Sequence, residues 1–301
     1  MTFKDISWPD DASDEESQKC KDLIYLISGE TVDESMKFDI MPYISCYYGE
    51  IGSGEYYTGG TFITWKHFDE NMNDTVIYKI IDPDDDLSGI SYKVSGEEYP
   101  VEDAVKYCEN YINENLMQYF NEGEELKLTD IIVTQNEIFN EYEYVLHYTH
   151  LIDGVAVDDC GFTDDEFEYM RESFFELTLS AKNEIQFFNN RCYYQTEEVE
   201  NVKKIIPLSE AEQILSDTLA PNASYTVSEC ELKYCCLVDP SENNEYLNYE
   251  PMWSFTLDNY EGENYGPQYL KYKTAYVNAL TGEVIYYDMN SCTLERYEYQ
   301  E

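Results

Sequence analysis

At 301 residues the chain is long enough to bury a sizeable core and to form two or three domains. Its 43% hydrophobic content is that of a folded protein, which excludes wholesale disorder. Against 63 acidic residues stand only 18 basic ones, and the net charge of −45 repels phosphate backbones and anionic lipid surfaces, so nucleic acid is excluded as a direct partner and a lipid surface is disfavoured.

The first element in chain order is a helix over "SDEESQKCKDLIYLISG". Ser13 and Glu16 have capping-box spacing, acidic residues crowd the first turn, and Gly29 suits the exit. Residues 30–95 are less legible: "MPYISCYYGE", "GGTFITWKHF" and "TVIYKIID" read as strands between glycine-rich or acidic turns. A second helix follows over 100–120, with Pro100 at its start and one apolar stripe made by Val101, Ala104, Val105, Cys108, Ile112, Leu116 and Phe120. "TDIIVTQNEIF" and "YEYVLHYTHLI" are strand-like, and Asp153-Gly154 supplies a hairpin turn into "VAVDD". "FFELTLSAKNEIQFF" is another alternating pair, turning near Lys182-Asn183. The third helix spans 207–219, with a second capping box at Ser209 and Glu212 and a buried face of Ala211, Ile214, Leu215 and Leu219. Three strand segments close the chain: "SYTVSECELKYCCLV", "EPMWSFTLD" and "KTAYVNALTGEVIYYD". In the last, Gly282 takes the positive φ of a bulged hairpin that closes the final sheet.

A helix followed by hairpin-connected strands thus occurs twice, at 96–195 and 196–301, behind an N-terminal α+β extension at 1–95. Helices segregated from strands in this way indicate an α+β fold, with each module a helix packed on an antiparallel sheet.

The residues that usually carry chemistry are sparse. Histidine occurs three times, as His67, His147 and His150, and on a strand the pair in "HYTH" points to opposite faces, which argues against a shared metal. GxSxG, HExxH, GxGxxG and Walker sequences are absent, so no catalytic residue and no cofactor is assigned. "DPDDDLSG", 82–89, fails as a calcium loop, because an EF-hand starting at Asp82 would need glycine and glutamate where Leu87 and Lys93 stand. Carboxylate pairs carry no specificity among so many acids. Nine cysteines, Cys20, Cys46, Cys108, Cys160, Cys192, Cys230, Cys235, Cys236 and Cys292, show no metal-ligand spacing, and the expectation is buried thiols with one or two disulfides left open. The 31 tyrosines read either as half-buried strand residues or as an aromatic binding surface for sugar or peptide.

"PMWSF" followed by "YVNALTGEVIYYD" resembles the closing half of PepSY-type domains and the related YycI and YycH accessory regulators of Gram-positive bacteria. The matching positions are Pro251, Trp253, Asn278, Ala279, Thr281 and Gly282. "YEYVLHYTHLIDGVAV", with Asp153 and Gly154, is similar to the strand and hairpin of other PepSY-like repeats, and "LSEAEQIL" to their helix. The resemblance reaches from about residue 96 onward, and it implies small α+β modules outside the cytoplasmic membrane, often on lipoproteins, that bind or regulate proteins without catalysis. The partner expected is another envelope or secreted protein. No apolar run long enough to span a bilayer occurs, and 1–20 lacks the apolar stretch of a leader, so export would require one removed before Met1. Two other readings stay open: an intracellular acidic decoy for a basic nucleic-acid-binding protein, and a carbohydrate-binding or carbohydrate-acting protein with tyrosine platforms.

Overall fold

The computed structural model describes residues 2–5, 13–38, 44–57, 60–67, 75–120, 123–136, 141–158, 174–191, 194–198, 204–219, 223–235, 249–262, 274–288 and 293–297. In chain order these begin with β1 (Thr2–Asp5), α1 (Asp14–Ser28), β2 (Ile44–Tyr48), β3 (Gly52–Tyr57), β4 (Phe62–Lys66) and β5 (Thr75–Ile81). Next come β6 (Ser91–Val94), β7 (Glu97–Pro100), α2 (Val101–Tyr111), β8 (Glu124–Asn136), β9 (Glu141–Ile152) and β10 (Val155–Asp158). Then follow β11 (Phe174–Ala181), β12 (Glu184–Arg191), β13 (Tyr194–Glu198) and α3 (Leu208–Leu219). The last are β14 (Ala223–Cys235), β15 (Glu250–Gly262), β16 (Thr274–Asn278), β17 (Val284–Asp288) and β18 (Thr293–Tyr297). The class is α+β, with long strands and few helices.

The described residues divide into two units. The larger holds 13–154 and 174–191; the other holds 2–5, 155–158 and 194–297. In the larger unit the strands run in the order β5-β8-β9-β11-β12-β4-β3-β2, and each neighbouring pair is antiparallel. β9 explains the layering. Tyr144, Leu146, Tyr148, His150 and Ile152 are buried on one face, while the residues between them are half-buried on the other, as strand alternation requires. Both long helices join the core on the buried side, where Leu23, Ile24 and Ile27 of α1 and Ala104 and Cys108 of α2 cluster with Phe175, Leu177 and Phe188. This core draws on residues from Cys20 to Phe188, so the boundary expected at 95/96 runs through one packed body.

Local signals account for α1. Ser13 accepts from the Glu16 N–H at 3.2 Å, Glu16 accepts in return from the Ser13 N–H at 2.7 Å, and Gly29 closes the helix at φ 71°. α2 needs a longer-range reason. Its stripe recurs every four residues from Ala104 to Phe120, and four α-helical residues turn through about 400°, so a strict four-residue stripe drifts off the core face. The backbone answers with a wider π turn over Ile112–Leu116, then a tight turn over Met117–Tyr119, and Ile112 and Leu116 stay buried.

β3 went unread in the sequence because its residues, "GSGEYY", have little strand propensity. Its glycines exist for α1. A Cβ on Gly52 would lie 2.7 Å from Ser28 Cβ, and one on Gly54 3.0 Å from Ile24 Cγ1. Gly52→Ala is expected to push α1 off the sheet and lower stability by about 1–2 kcal/mol, as overpacking does. An unchanged denaturant midpoint would show that the helix does not need this close approach.

In the second unit α3 lies on the antiparallel run β14-β15-β16-β17-β18. Ala211, Ile214, Leu215 and Leu219 pack on Phe255, Leu257, Ala275, Val277 and Val284. β10 adds to β14 in parallel, and β1 pairs with β13. Two expectations are corrected. Helix α3 begins at Leu208, with the Pro207 carbonyl accepting from Glu210 and Ala211 at 3.0 and 3.1 Å, so Ser209 lies within the helix and does not cap it. The Thr281-Gly282 hairpin is not the end of the sheet, since β18 adds a further strand on which Tyr297 stacks against Tyr286.

Candidate functional site

The positions matched to the PepSY pattern form a structural clasp. Trp253 Nε1 donates to the Ile206 carbonyl at 2.8 Å, the Ile206 N–H donates to the Ala279 carbonyl at 2.8 Å, and the Ala279 N–H to the Pro251 carbonyl at 2.8 Å. The chain leading into α3 is thereby tied to the β16–β17 hairpin. Asn278 organises the turn: its Oδ1 accepts from the Leu280 and Thr281 N–H groups, and its Nδ2 donates to the Glu250 carboxylate. Thr281 Oγ1 accepts from the Glu283 N–H at 3.2 Å, and Gly282 holds φ 77°. Asp153 and Gly154 turn with consecutive positive φ of 50° and 74°, the mirror-image turn expected for Asp-Gly.

The histidines go to three different places. His147 is half-buried on one face of β9, with its ring 4.9 Å from Phe174 and its Nδ1 3.9 Å from Asp130. His150 faces the core, and its Nδ1 meets Glu124 Oε1 with both side chains sealed from water. The third constellation was invisible in sequence: β3 and β4 bring Ser53 Oγ to 2.5 Å from His67 Nε2. Nucleophile and base have this spacing in hydrolases. Here, however, the Ser53 side chain is buried, and the nearby N–H groups of Glu50, Ile51 and Gly52 are taken by the Glu30 carboxylate at 2.7, 2.8 and 3.1 Å. Among the described residues the N–H groups beside the dyad are thus already engaged, and the dyad ties β3 to the residue that follows β4.

Among the described residues no group of histidine, cysteine and carboxylate side chains could hold a metal ion, and no helix is long and apolar enough to cross a membrane. The acidic stretch after β5 is a solvated turn in which Asp82 and Asp86 accept from the Asp84 and Ser88 N–H groups at 2.8 and 3.0 Å. Cys20, Cys46, Cys108, Cys230 and Cys235 are free thiols. Burial pushes the Cys46 thiol up to about 12 and Cys20 and Cys108 higher, so none of these three is a thiolate at neutral pH. Cys160, Cys192, Cys236 and Cys292 lie outside the described residues.

The surface that stands out is β5. "TVIYKII" is rich in β-branched residues and pairs with β8 on one side only; among the described residues no strand takes the other. Val76, Ile77, Tyr78 and Ile80 are 44%, 64%, 53% and 56% exposed, although such side chains usually avoid water. The register with β8 steps from Ile77↔Thr134 to Lys79↔Val133, so Tyr78 is an extra residue in the strand. The bulge aims its ring into a chain of tyrosines. Tyr78 lies 5.1 Å from Tyr142 and 5.9 Å from Tyr92, and Tyr92 lies 6.1 Å from Tyr144. Tyr144 anchors this chain in the core, accepting from the Tyr92 N–H and donating to the Tyr99 carbonyl. The edge is thus backed by aromatic side chains fixed to the buried layer.

Two carboxyls near the middle of the sheet respond to pH. Burial pushes Glu143 up, and it pushes Glu176 up against the opposing pull of Arg191. A raised carboxyl binds its proton more tightly in the folded state, so each costs stability at neutral pH and returns it as pH falls through the folded value. Glu30 works in the other direction. Burial alone would raise it, but the N–H groups of Ile51, Glu50 and Gly52 together with His67 hold it below the usual range. Its contribution is present above about pH 4.3 and is lost below that. The thermal midpoint is therefore expected to rise from pH 7 toward pH 5 and to fall at more acid pH. Glu143→Gln with Glu176→Gln should flatten the rise; a midpoint that drops steadily from pH 7 in the wild type would contradict this balance.

No family model and no curated protein matches the chain. Among solved structures, the crystal structure of an uncharacterized protein from Eubacterium rectale ATCC 33656 is similar, with a TM-score of 0.55 and 12% sequence identity over 99% of this chain and 85% of that one. At that identity the likeness shows the fold alone: mixed α+β, dominated by a large sheet.

Proposed function

We propose that this chain is a non-catalytic binding protein of the bacterial cell envelope, acting outside the cytoplasmic membrane through contacts with another protein. Its docking element is β5, which takes an extended segment of the partner as an additional strand. The observation that carries this reading is the open, apolar edge of Thr75–Ile81, backed by the tyrosine chain from Tyr78 to Tyr144. Main-chain hydrogen bonds along such an edge supply affinity, and the side chains beside it supply selectivity. The order of α2 before β8–β12 and of α3 before β14–β18 supports a PepSY-like helix-then-sheet reading, with the first set built into the larger unit, and the location rests on that resemblance.

A library of displayed peptides selected against the whole protein tests the docking element. The selected peptides are expected to slow amide exchange across 75–81, and to lose binding in Ile77→Lys/Ile80→Lys, which changes only exposed positions. Peptides that protect other segments and ignore this double variant would overturn it. Protease accessibility of the full gene product on intact cells stripped of their wall tests the location, and complete protection would place the protein inside.

A further inference from the structure

Resting on the reading of β5 as the docking edge, we infer the chemistry of its occupant: an extended, apolar segment flanked by lysine or arginine, and not a second copy of this chain. The apolar requirement follows from the strand. Val76 and Ile77 alternate to opposite faces and both are exposed, so an added strand gains by bringing apolar side chains to each face.

The charge requirement follows from what brackets the strand. Asp82, Asp84, Asp85 and Asp86 follow Ile81 directly, and in the sequence Asp69, Glu70 and Asp74 precede Thr75, against the single cation Lys79 within it. Asp84, Asp85 and Asp86 are exposed, at the very end of the open edge. Open strands left to themselves pair with their own kind, and flanking charge is how proteins prevent this. A second copy docking through β5 would bring its own exposed Asp84, Asp85 and Asp86 to an edge that already ends in the same three charges. Both molecules would also carry a net charge of −45. The same bracket that rejects a second copy attracts a cationic strand of the same shape. Like charge is thus a selective element against self-pairing, and complementary charge speeds encounter with the partner.

Three synthetic peptides test this, sharing a Val-Thr-Val-Thr-Val-Thr-Val core and carrying Lys-Lys, Ser-Ser or Glu-Glu at both ends. Affinity and amide protection are measured on the intact protein. The dilysine peptide is expected to bind about tenfold more tightly than the diserine one, and the diglutamate peptide more weakly still. It should protect the amides of 75–81, and its advantage should shrink between about 50 mM and about 500 mM salt. In Asp84→Asn/Asp85→Asn, which spares the turn-forming Asp82 and Asp86, the preference for lysine should fall severalfold. Equal binding by all three peptides with protection of 75–81 would overturn the charge requirement and leave the docking edge standing. No protection of 75–81 by any of them would remove the docking edge itself. A dimer in sedimentation whose 75–81 amides are protected without peptide would hand the edge to a second copy and overturn the inference.

Discussion

Replacing His150 by alanine should lower the stability of the larger unit by about 3–5 kcal/mol, because it removes a fully buried ring packed beside Phe120 together with its contact to the Glu124 carboxyl. The His150 and Glu124 side chains are 0% and 2% exposed, and the imidazole Nδ1 meets Glu124 Oε1 inside the sheet–helix interface beside Phe120. Glu124→Leu is expected to cost a similar amount, since the contact between two buried polar side chains is lost. The pair itself is a different matter. A polar pair withdrawn from water regains little beyond its desolvation cost, so His150→Leu combined with Glu124→Met should recover most of the loss. Urea midpoints of the two single variants and the double variant measure this coupling. Additive losses would show that the two residues act independently, and a loss below about 1 kcal/mol in either single variant would show that water reaches the site.

That pair also shows where the sequence stops being informative. Strand alternation over "YEYVLHYTHLI" placed His147 and His150 on opposite faces, and they are, because side-chain direction on a strand is local. Which carboxylate would meet His150 was set by the register of β8 on β9, where a bulge between Leu128 and Asp130 shifts the pairing by one. No short-range signal encodes that shift. The same division holds elsewhere. Both ends of α1 were readable because capping is a matter of three or four residues, and so was the Lys182-Asn183 turn, where Asn183 takes φ 61°. The β6–β7 hairpin was readable in principle from "VSGE", since Ser95 and Gly96 both adopt positive φ, but its strands are too short for alternation to show. β3 was not readable at all, as its glycines answer to a helix more than twenty residues upstream.

The candidate site divides in the same way. "TVIYKII" declares itself a strand by composition, and nothing in it says that only one side will be paired. Edge status belongs to the whole sheet. Ser53 and His67 are brought together by the antiparallel pairing of β3 with β4, and the Glu30 carboxylate that engages the adjacent N–H groups comes from just beyond the end of α1. The PepSY-like resemblance, by contrast, rests on residues whose bonds here are structural: Thr281 and the Asn278 oxygen act within the turn, while Trp253 reaches back to Ile206.

Among those residues, Asn278 should show the largest effect in the second unit. Its side chain is buried at 1% exposure, and it serves three partners at once: two backbone N–H groups, from Leu280 at 2.8 Å and Thr281 at 3.1 Å, and the Glu250 carboxylate. Asn278→Ala removes all three and is expected to cost about 3 kcal/mol, since the stranded donors must either go unpaired or reopen the turn to water. Asn278→Asp separates the contributions. Aspartate keeps an oxygen for the two N–H groups but sets a second carboxylate against Glu250, two acceptors with no donor between them. Its loss should therefore be present at neutral pH and shrink as either carboxyl takes up a proton, a dependence that the alanine variant will not share. Denaturant midpoints of both variants across pH 4 to 7 read the difference directly. If alanine costs less than about 1 kcal/mol, the Gly282 backbone conformation holds the hairpin on its own. If aspartate shows no pH dependence, Asn278 serves the turn alone and the link to Glu250 contributes nothing.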